Sequence, residues 1–348
     1  MTRRPDWQPA RGLGHAEPVT GGAWDVQAAG RPTGPGPAGH SARPDSGRSD
    51  RCDRPALPDS PAQLAEWLRL TGYLPDEGLA TAAFLALRMH RPLFCEGEPG
   101  TGKTALAQAL AEVVGAPLIR LQCHEGIDAS QALYDWDFPR QLLHLRALEA
   151  AAGASSERLD ADAVEASLYD RRFLIARPVL QALTTSPSVL LIDEVDRADD
   201  EFEAFLLEVL TEHAVTIPEV GEVRAATPPL VVLTSNRTRE VHDALKRRCL
   251  YLWLDHPDVT REVAILRSRL PGVPERLAGQ VAEAVRRMRE LELLKPPGVA
   301  ESLDWAQALL LLGADELTPE KAAASLGAVL KYREDADRVR DRLDAVLG

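Results

Sequence analysis

Eight consecutive residues, Gly97-Glu98-Pro99-Gly100-Thr101-Gly102-Lys103-Thr104, follow the spacing Gly, four residues, Gly-Lys-Thr. This is a pattern for holding phosphate. Glycines let successive backbone N–H groups curl around phosphate oxygens with no Cβ in the way, and a helix opening behind them adds its N-terminal dipole. On this reading Gly97 through Thr104 cradle a nucleotide, Lys103 reaches the β- and γ-phosphates, and Thr104 places its hydroxyl on Mg²⁺. Further along, the apolar run Val189-Leu190-Leu191-Ile192 ends in Asp193-Glu194. Asp193 is expected to hold the metal with Thr104, and Glu194 to orient the attacking water or accept its proton. Two acids after a strand can be a solvated cap, but an upstream phosphate loop supplies the other half of a site. A third run, Leu230–Ser235, ends at Asn236, whose amide suits a water or a γ-phosphate; Asn is also an ordinary turn residue, and in this series the sensing role is favoured. Lys246-Arg247-Arg248 closes a short helical stretch. Those cations either complement a helix C-terminus or supply an arginine finger, Arg248 or Arg247, to a neighbouring subunit.

The elements that must position these groups alternate. Short apolar runs of buried-strand type occur at Leu93–Cys95, Leu118–Leu121, Val189–Ile192, Leu230–Thr234 and Leu250–Leu254, with helical stretches between most of them. The pattern predicts an α/β fold, a parallel sheet covered by helices on both faces. Ser60-Pro61 reads as a cap with a first-turn proline ahead of Leu64, Trp67 and Leu68. From Pro257 onward only helical patterns remain, over 260–270, 275–294, 302–312 and 319–347. The expected division is a nucleotide-binding α/β domain over 59–256 and a smaller all-helical lid domain over 257–348.

Residues 1–58 carry 9 Pro, 9 Gly and 8 Arg against 6 acidic residues, a composition that predicts a disordered tail. The whole chain has 348 residues, 40 Lys+Arg and 53 Asp+Glu, a net charge of −13. That balance argues against a protein built to coat DNA, since Lys and Arg on phosphates supply most such affinity. No apolar run approaches the ~20 residues of a bilayer span, and the N-terminus lacks a secretory pattern, so a cytoplasmic location is expected. Cys52, Cys95, Cys123 and Cys249 are scattered and predict free thiols.

Taken together the phosphate loop, the strand ending in Asp193-Glu194, the strand ending in Asn236 and the arginine at a helix end resemble an AAA+ ATPase over about residues 60–348. Within that superfamily the loop, Asp193-Glu194-Val195-Asp196-Arg197-Ala198, and an expected hairpin between Thr211 and Pro229, around Pro218 and Gly221, are similar to the MoxR family. The strings Gln122–Asp128, Tyr134–Gln141 and Leu245–Cys249 resemble the branch encoded beside carbon-monoxide-dehydrogenase-type molybdenum hydroxylases. The resemblance implies an ATP-hydrolysing, Mg²⁺-dependent chaperone, forming a ring, with six subunits expected, that remodels or helps metallate a client with a von Willebrand factor A domain partner. A clamp-loader-like DNA-transaction ATPase and a slow nucleotide-gated scaffold are the alternatives. One departure stands out: where such lids carry a second sensor arginine, this chain has Gly298-Val299-Ala300-Glu301-Ser302, so Arg261 or Arg286 would have to serve. Adjacent Cys123 and His124 hint at a metal, but neighbouring side chains leaving a strand point to opposite faces. Trp136 and Phe138 suit either a client-gripping loop or packing, with packing slightly favoured.

Overall fold

The first helix, α1 (Pro61–Leu70), begins where the Ser-Pro pair predicts, because the Ser60 hydroxyl accepts the Gln63 N–H at 3.2 Å and Pro61 fits the first turn. A cap of this kind contributes about 1 kcal/mol. Asp76 caps α2 (Glu77–Met89) in the same way. The computed structural model describes residues 57–155 and 160–348; the expected tail therefore lies outside the described residues except for Leu57 and Pro58, as does Cys52.

Beyond α2 the chain runs β1 (Leu93–Gly97), α3 (Lys103–Val114), β2 (Leu118–Gln122), α4 (Ala129–Leu133), β3 (Tyr134–Trp136), α5 (Phe138–Ser155), α6 (Ala161–Leu168), β4 (Leu174–Ala176), α7 (Pro178–Thr184), β5 (Val189–Asp193), α8 (Asp200–Glu212), β6 (Ala214–Ile217), β7 (Gly221–Arg224), β8 (Leu230–Ser235), α9 (Asp243–Arg248) and β9 (Leu250–Leu254). All five apolar runs read as strands are strands. They pair in parallel in the order β2-β5-β8-β1-β9. β1 and β5 are buried throughout, as parallel strands covered on both faces should be. β2, at the sheet edge, alternates instead, with Arg120 and Gln122 exposed. Phe94, Leu190, Ile192, Phe202, Leu206 and Leu233 belong to one buried apolar cluster between sheet and helices.

Parallel register sets the site. Ile192 lies opposite Leu233, and Thr234 opposite Cys95. Asp193, Asn236 and the loop after Gly97 therefore emerge at the same C-terminal edge of the sheet, the edge at which α/β sheets bind ligands. The expected hairpin is present as β6 and β7, with Val215 opposite Val223 and the tight turn closed by Gly221 at φ 91°. A second small antiparallel pair, β3 and β4, places Trp136 opposite Leu174; three-residue strands inside a helical stretch leave too short a pattern to be read from sequence.

The C-terminal region is helical: α10 (Val259–Arg269), α11 (Glu275–Arg289), α12 (Val299–Leu311), α13 (Pro319–Val329), α14 (Arg333–Arg340) and α15 (Leu343–Leu347). It buries its own cluster, including Leu277, Val281, Met288, Trp305, Leu309 and Leu326. The Trp305 indole N–H donates to the Ser325 hydroxyl at 2.7 Å, so this large side chain is buried with its polar atom satisfied. Two expectations need correction. The helix expected over 275–294 stops at Arg289, and the segment after it is held off the helical path, with Asp335 accepting the N–H groups of Leu294 and Lys295 and Arg289 donating to the Pro297 carbonyl. The single helix expected over 319–347 is three, broken where Leu330 and Tyr332 are extended and again at Asp341–Arg342. A straight rod there would carry Leu330, Val339 and Val346 away from the cluster they join. Among the described residues no helix is long and apolar enough to cross a membrane.

Candidate functional site

β1 delivers the phosphate-type loop and α3 closes it. Gly100 and Gly102 have φ of 79° and 93°, the left-handed region that glycine enters without strain. A Cβ on Gly97 would fall 2.2 Å from the Leu254 carbonyl oxygen, so only glycine lets β1 pass β9 here. Lys103, the first residue of α3, is buried and donates to the carbonyls of Gly97 at 2.8 Å and Glu98 at 2.7 Å. Burial pushes its pKa down, opposed by Cys95 and by the carboxylates of Asp196, Glu98 and Asp193. The Thr101 hydroxyl donates to the Glu98 carbonyl and holds the loop's shape.

The two acids after β5 sit directly against this loop. Asp193 is buried; its carboxylate accepts the Thr234 hydroxyl at 2.5 Å and stands 3.3 Å from the Thr104 hydroxyl. Glu194 has φ 55°, and its N–H is fixed by the Thr234 hydroxyl at 2.9 Å. One Glu194 oxygen accepts the Asn236 amide at 3.2 Å, while the other accepts the Gln122 amide at 3.2 Å and faces the Arg197 guanidinium at 3.0 Å. Asp196, also buried, accepts the N–H groups of Asn236 and Thr238 and so sets the turn that presents Asn236. A hydroxyl and a carboxylate side by side at the foot of a glycine loop are a hard-oxygen pair suited to Mg²⁺, which keeps most of its waters and takes one or two protein oxygens. The residues present fit that ion.

Gly97–Thr104, Asp193, Glu194 and Asn236 are thus brought together; Arg247 and Arg248 are not. Both are exposed at the end of α9 and neither lines the cavity described next. Nor is either needed to cap α9: Arg91 donates to the carbonyls of Arg247, Arg248 and Cys249. Arg247 faces Asp243 at 3.5 Å, and Arg248 donates to the Thr211 hydroxyl.

A cavity of about 590 Å³ opens beside the loop, lined on one side by Tyr73, Leu74 and Leu79 and on the other by Ile265, Val299 and Leu303. The helical region closes directly on the loop, since the Val299 N–H donates to the Gly100 carbonyl at 3.0 Å. Glu301 caps its own helix by accepting the Gly298 N–H at 3.0 Å. Arg261 lines the cavity, tied to the Leu74 carbonyl and to Asp76 at 2.8 Å; Arg286 does not, being paired with Glu283 and Glu290.

His256 also lines this cavity, and its Nδ1 is buried with no hydrogen-bond partner among the described residues. Burial, then the nearby Arg289 charge, pushes its pKa from 6.5 to about 4. The folded chain therefore refuses a proton that the unfolded chain accepts below pH 6.5, and this contribution to stability is complete above that pH and is lost as pH falls toward 4. His256→Gln should flatten the melting-temperature profile between pH 6.5 and 4 relative to wild type. Parallel profiles for the two proteins would refute this.

Cys123 is buried and His124 exposed, its Nδ1 against the Glu125 carbonyl, so the two do not converge. Among the described residues no group of three His, Cys, Asp or Glu could hold a metal ion. Cys95, Cys123 and Cys249 are free and buried, and burial pushes each thiol up to about 12. Trp136 packs edge-on against Tyr134 and Tyr169, as the packing expectation has it, whereas Phe138 is 65% exposed.

Sequence reasoning missed three residues of the site. Thr234 bridges Asp193 and Glu194, and Gln122 and Arg120 reach Glu194 and Asp193 from β2. The sequence does place the last two on one face of their strand, since side chains alternate, but it does not say which strand lies beside them.

Residues 92–249 match the AAA domain (dynein-related subfamily). An uncharacterized protein of Staphylococcus saprophyticus is 25% identical over 189 residues, 53% of this chain and 62% of that protein, so less than two thirds of its length is spanned. An uncharacterized protein of Staphylococcus aureus (strain USA300) is 25% identical over 231 residues, 64% of this chain and 76% of that protein. Midasin of Giardia intestinalis is 48% identical over 48 residues, 14% of this chain and 1% of Midasin. Among solved structures, the Thermotoga maritima RuvB Holliday junction branch migration motor aligns with 78% of this chain and 72% of its own, at 16% identity and a TM-score of 0.42, a likeness too loose to carry a role across.

Proposed function

We propose that this chain, whose residues 92–249 match the AAA domain (dynein-related subfamily), is a Mg²⁺-dependent ATPase of MoxR type acting within a homo-oligomeric ring. The observation that carries the reading is the meeting of the phosphate-type loop with Thr104, Asp193, Glu194 and Asn236 at one sheet edge, Thr104 beside Asp193, Glu194 bonded to Asn236, and the Thr234 hydroxyl bridging the two acids. On this reading Lys103 exchanges the carbonyls of Gly97 and Glu98 for phosphate oxygens. Thr104 and Asp193 hold the metal, whose charge, when it is bound, offsets that of the phosphates. Glu194 orients the attacking water and takes its proton once it is released from Gln122 and Arg197, and Asn236 fixes the position of that water or of the γ-phosphate. Residues 59–256 act as the nucleotide-binding domain and 257–348 as the lid.

Arg248, or Arg247, completes the site of the next subunit, which its exposed position permits. This requires head-to-tail subunits closing into a ring, and the family resemblance supports a hexamer. The resemblance to the molybdenum hydroxylase branch supports a cytoplasmic role in remodelling or metallating a client, with a von Willebrand factor A domain partner. A second reading, a nucleotide-gated scaffold with slow turnover, draws support from Glu194 being engaged by three donors and from Glu301 standing where a lid arginine is expected.

Phosphate release from ATP separates the two. Hydrolysis that requires Mg²⁺, with specific activity rising as protein concentration rises through ring assembly, is the expected result. ATP binding without release at any concentration favours the scaffold, and the absence of ATP binding ends both readings.

A further inference from the structure

Among the described residues, Arg120 is the cation bonded to Asp193. Its Nε and one terminal nitrogen lie 3.0 and 2.5 Å from the same carboxylate oxygen, and that terminal nitrogen also reaches the Gln122 side-chain oxygen at 2.5 Å. The partners differ sharply in exposure: the Arg120 side chain is 54% exposed on edge strand β2, the Asp193 side chain 5%. A buried carboxylate is costly without a counter-charge, and the other nearby cation, Lys103, is spent on the carbonyls of Gly97 and Glu98. The remaining donors to Asp193 are the uncharged hydroxyls of Thr234 and Thr104. Arg120 is therefore the charge that neutralises Asp193 in this state.

That arrangement conflicts with metal loading. The Thr104 hydroxyl is 3.4 Å from the oxygen that Arg120 holds and 3.3 Å from the other, whose lone pairs already take the Thr234 hydroxyl. A divalent cation shared by Thr104 and Asp193 must compete with a guanidinium for one small carboxylate, and the two positive charges repel. Arg120 has room to leave, because it lines the open cavity and half of its side chain already meets solvent.

We propose that Arg120 is a built-in counter-ion: it occupies the Asp193 carboxylate while no metal–nucleotide complex is present and surrenders it on loading, so that loading is an exchange of cations. The inference rests on the Mg²⁺–nucleotide reading above. It makes Arg120 a restraint on magnesium-dependent affinity and distinguishes it from a phosphate ligand, which would strengthen binding with or without the metal.

The test is equilibrium binding of N-methylanthraniloyl-ADP to the full-length wild type, Arg120→Gln and Arg120→Lys, each in EDTA and in excess MgCl₂. The quantity to compare is the ratio of the EDTA Kd to the magnesium Kd. Wild type should show a ratio above one. In Arg120→Gln that ratio should rise about tenfold, the scale of a charge-assisted pair reduced by partial exposure. Arg120→Lys, which keeps a charge but loses the fork, should fall between the two and guards against a glutamine variant that folds poorly. Melting without nucleotide gives an independent reading: Arg120→Gln should melt lower than wild type, and MgCl₂ alone should recover more of its loss than it adds to wild type. An unchanged ratio, or an equal loss of affinity in EDTA and in magnesium, overturns the inference while leaving the nucleotide reading standing. Failure of wild type to bind the probe in either condition overturns both.

Discussion

Glu194→Gln is expected to bind ATP about as well as wild type and to hydrolyse it at least ~10²-fold more slowly, whereas Lys103→Ala is expected to lose binding itself. The contrast follows from where each group acts. Lys103 sits at the floor of the loop, bonded to the carbonyls of Gly97 and Glu98, and on the proposed reading its charge would meet phosphate in the ground state. Glu194 has Asn236 on one carboxylate oxygen and Gln122 and Arg197 on the other; glutamine has the same shape and keeps one oxygen as an acceptor, while its second position becomes an amide donor. The variant therefore keeps its packing and loses the ability to accept a proton, a loss worth ~2.7 kcal/mol or more of barrier at that rate ratio. Fluorescent-nucleotide titration together with phosphate release reads both quantities. Turnover in Glu194→Gln equal to wild type would remove Glu194 from the chemistry.

The parts of this site that sequence made legible are those whose function forces a local signature. Phosphate contact demands glycines at fixed spacing ahead of a lysine, and Gly97, Gly100 and Gly102 are each needed for close approach or positive φ. A buried parallel strand demands an unbroken apolar run, so β1, β5 and β8 were readable, and Asp193 and Asn236 were placed by where those runs stop. What was not legible depends on register between strands distant in sequence. Gln122 reaches Glu194 because β2 lies beside β5 with Gln122 opposite Asp193, and nothing in a single strand states its neighbour. The same holds for Arg91, whose bonds to the end of α9 span more than 150 residues. The breaks after α13 and α14 were hidden for another reason: apart from Gly327, 319–347 contains no strong helix breaker after its first residue, and the chain turns so that Leu330, Val339 and Val346 all join the helical cluster. Glu301 could be read as a departure from the MoxR pattern, but its bond to the Gly298 N–H, which makes it a helix cap, needed the structure.

Arg248→Ala and Lys103→Ala, each inactive alone, are expected to regain ATPase activity when mixed. The expectation comes from what the α9 cations do not do within their own subunit. Arg91 already satisfies the carbonyls at the end of α9, so helix capping leaves Arg247 and Arg248 without a task there. Both remain exposed and away from their own cavity, and Arg248 is held by the uncharged Thr211 hydroxyl. A mixed ring contains interfaces at which an intact phosphate loop meets an intact Arg248, and those interfaces alone should turn over. Because an arginine finger contributes ~10³-fold or more to hydrolysis, a minority of repaired interfaces should stand clear of the background. Subunit exchange must be verified in the same samples, by energy transfer between differently labelled subunits. Arg247→Ala mixed with Lys103→Ala assigns the finger: recovery only with Arg248→Ala names Arg248, and recovery only with Arg247→Ala names Arg247. Verified exchange with no recovery in either mixture would mean that no arginine of α9 crosses between subunits, and the exposed pair would then have to act on something other than a neighbour's nucleotide.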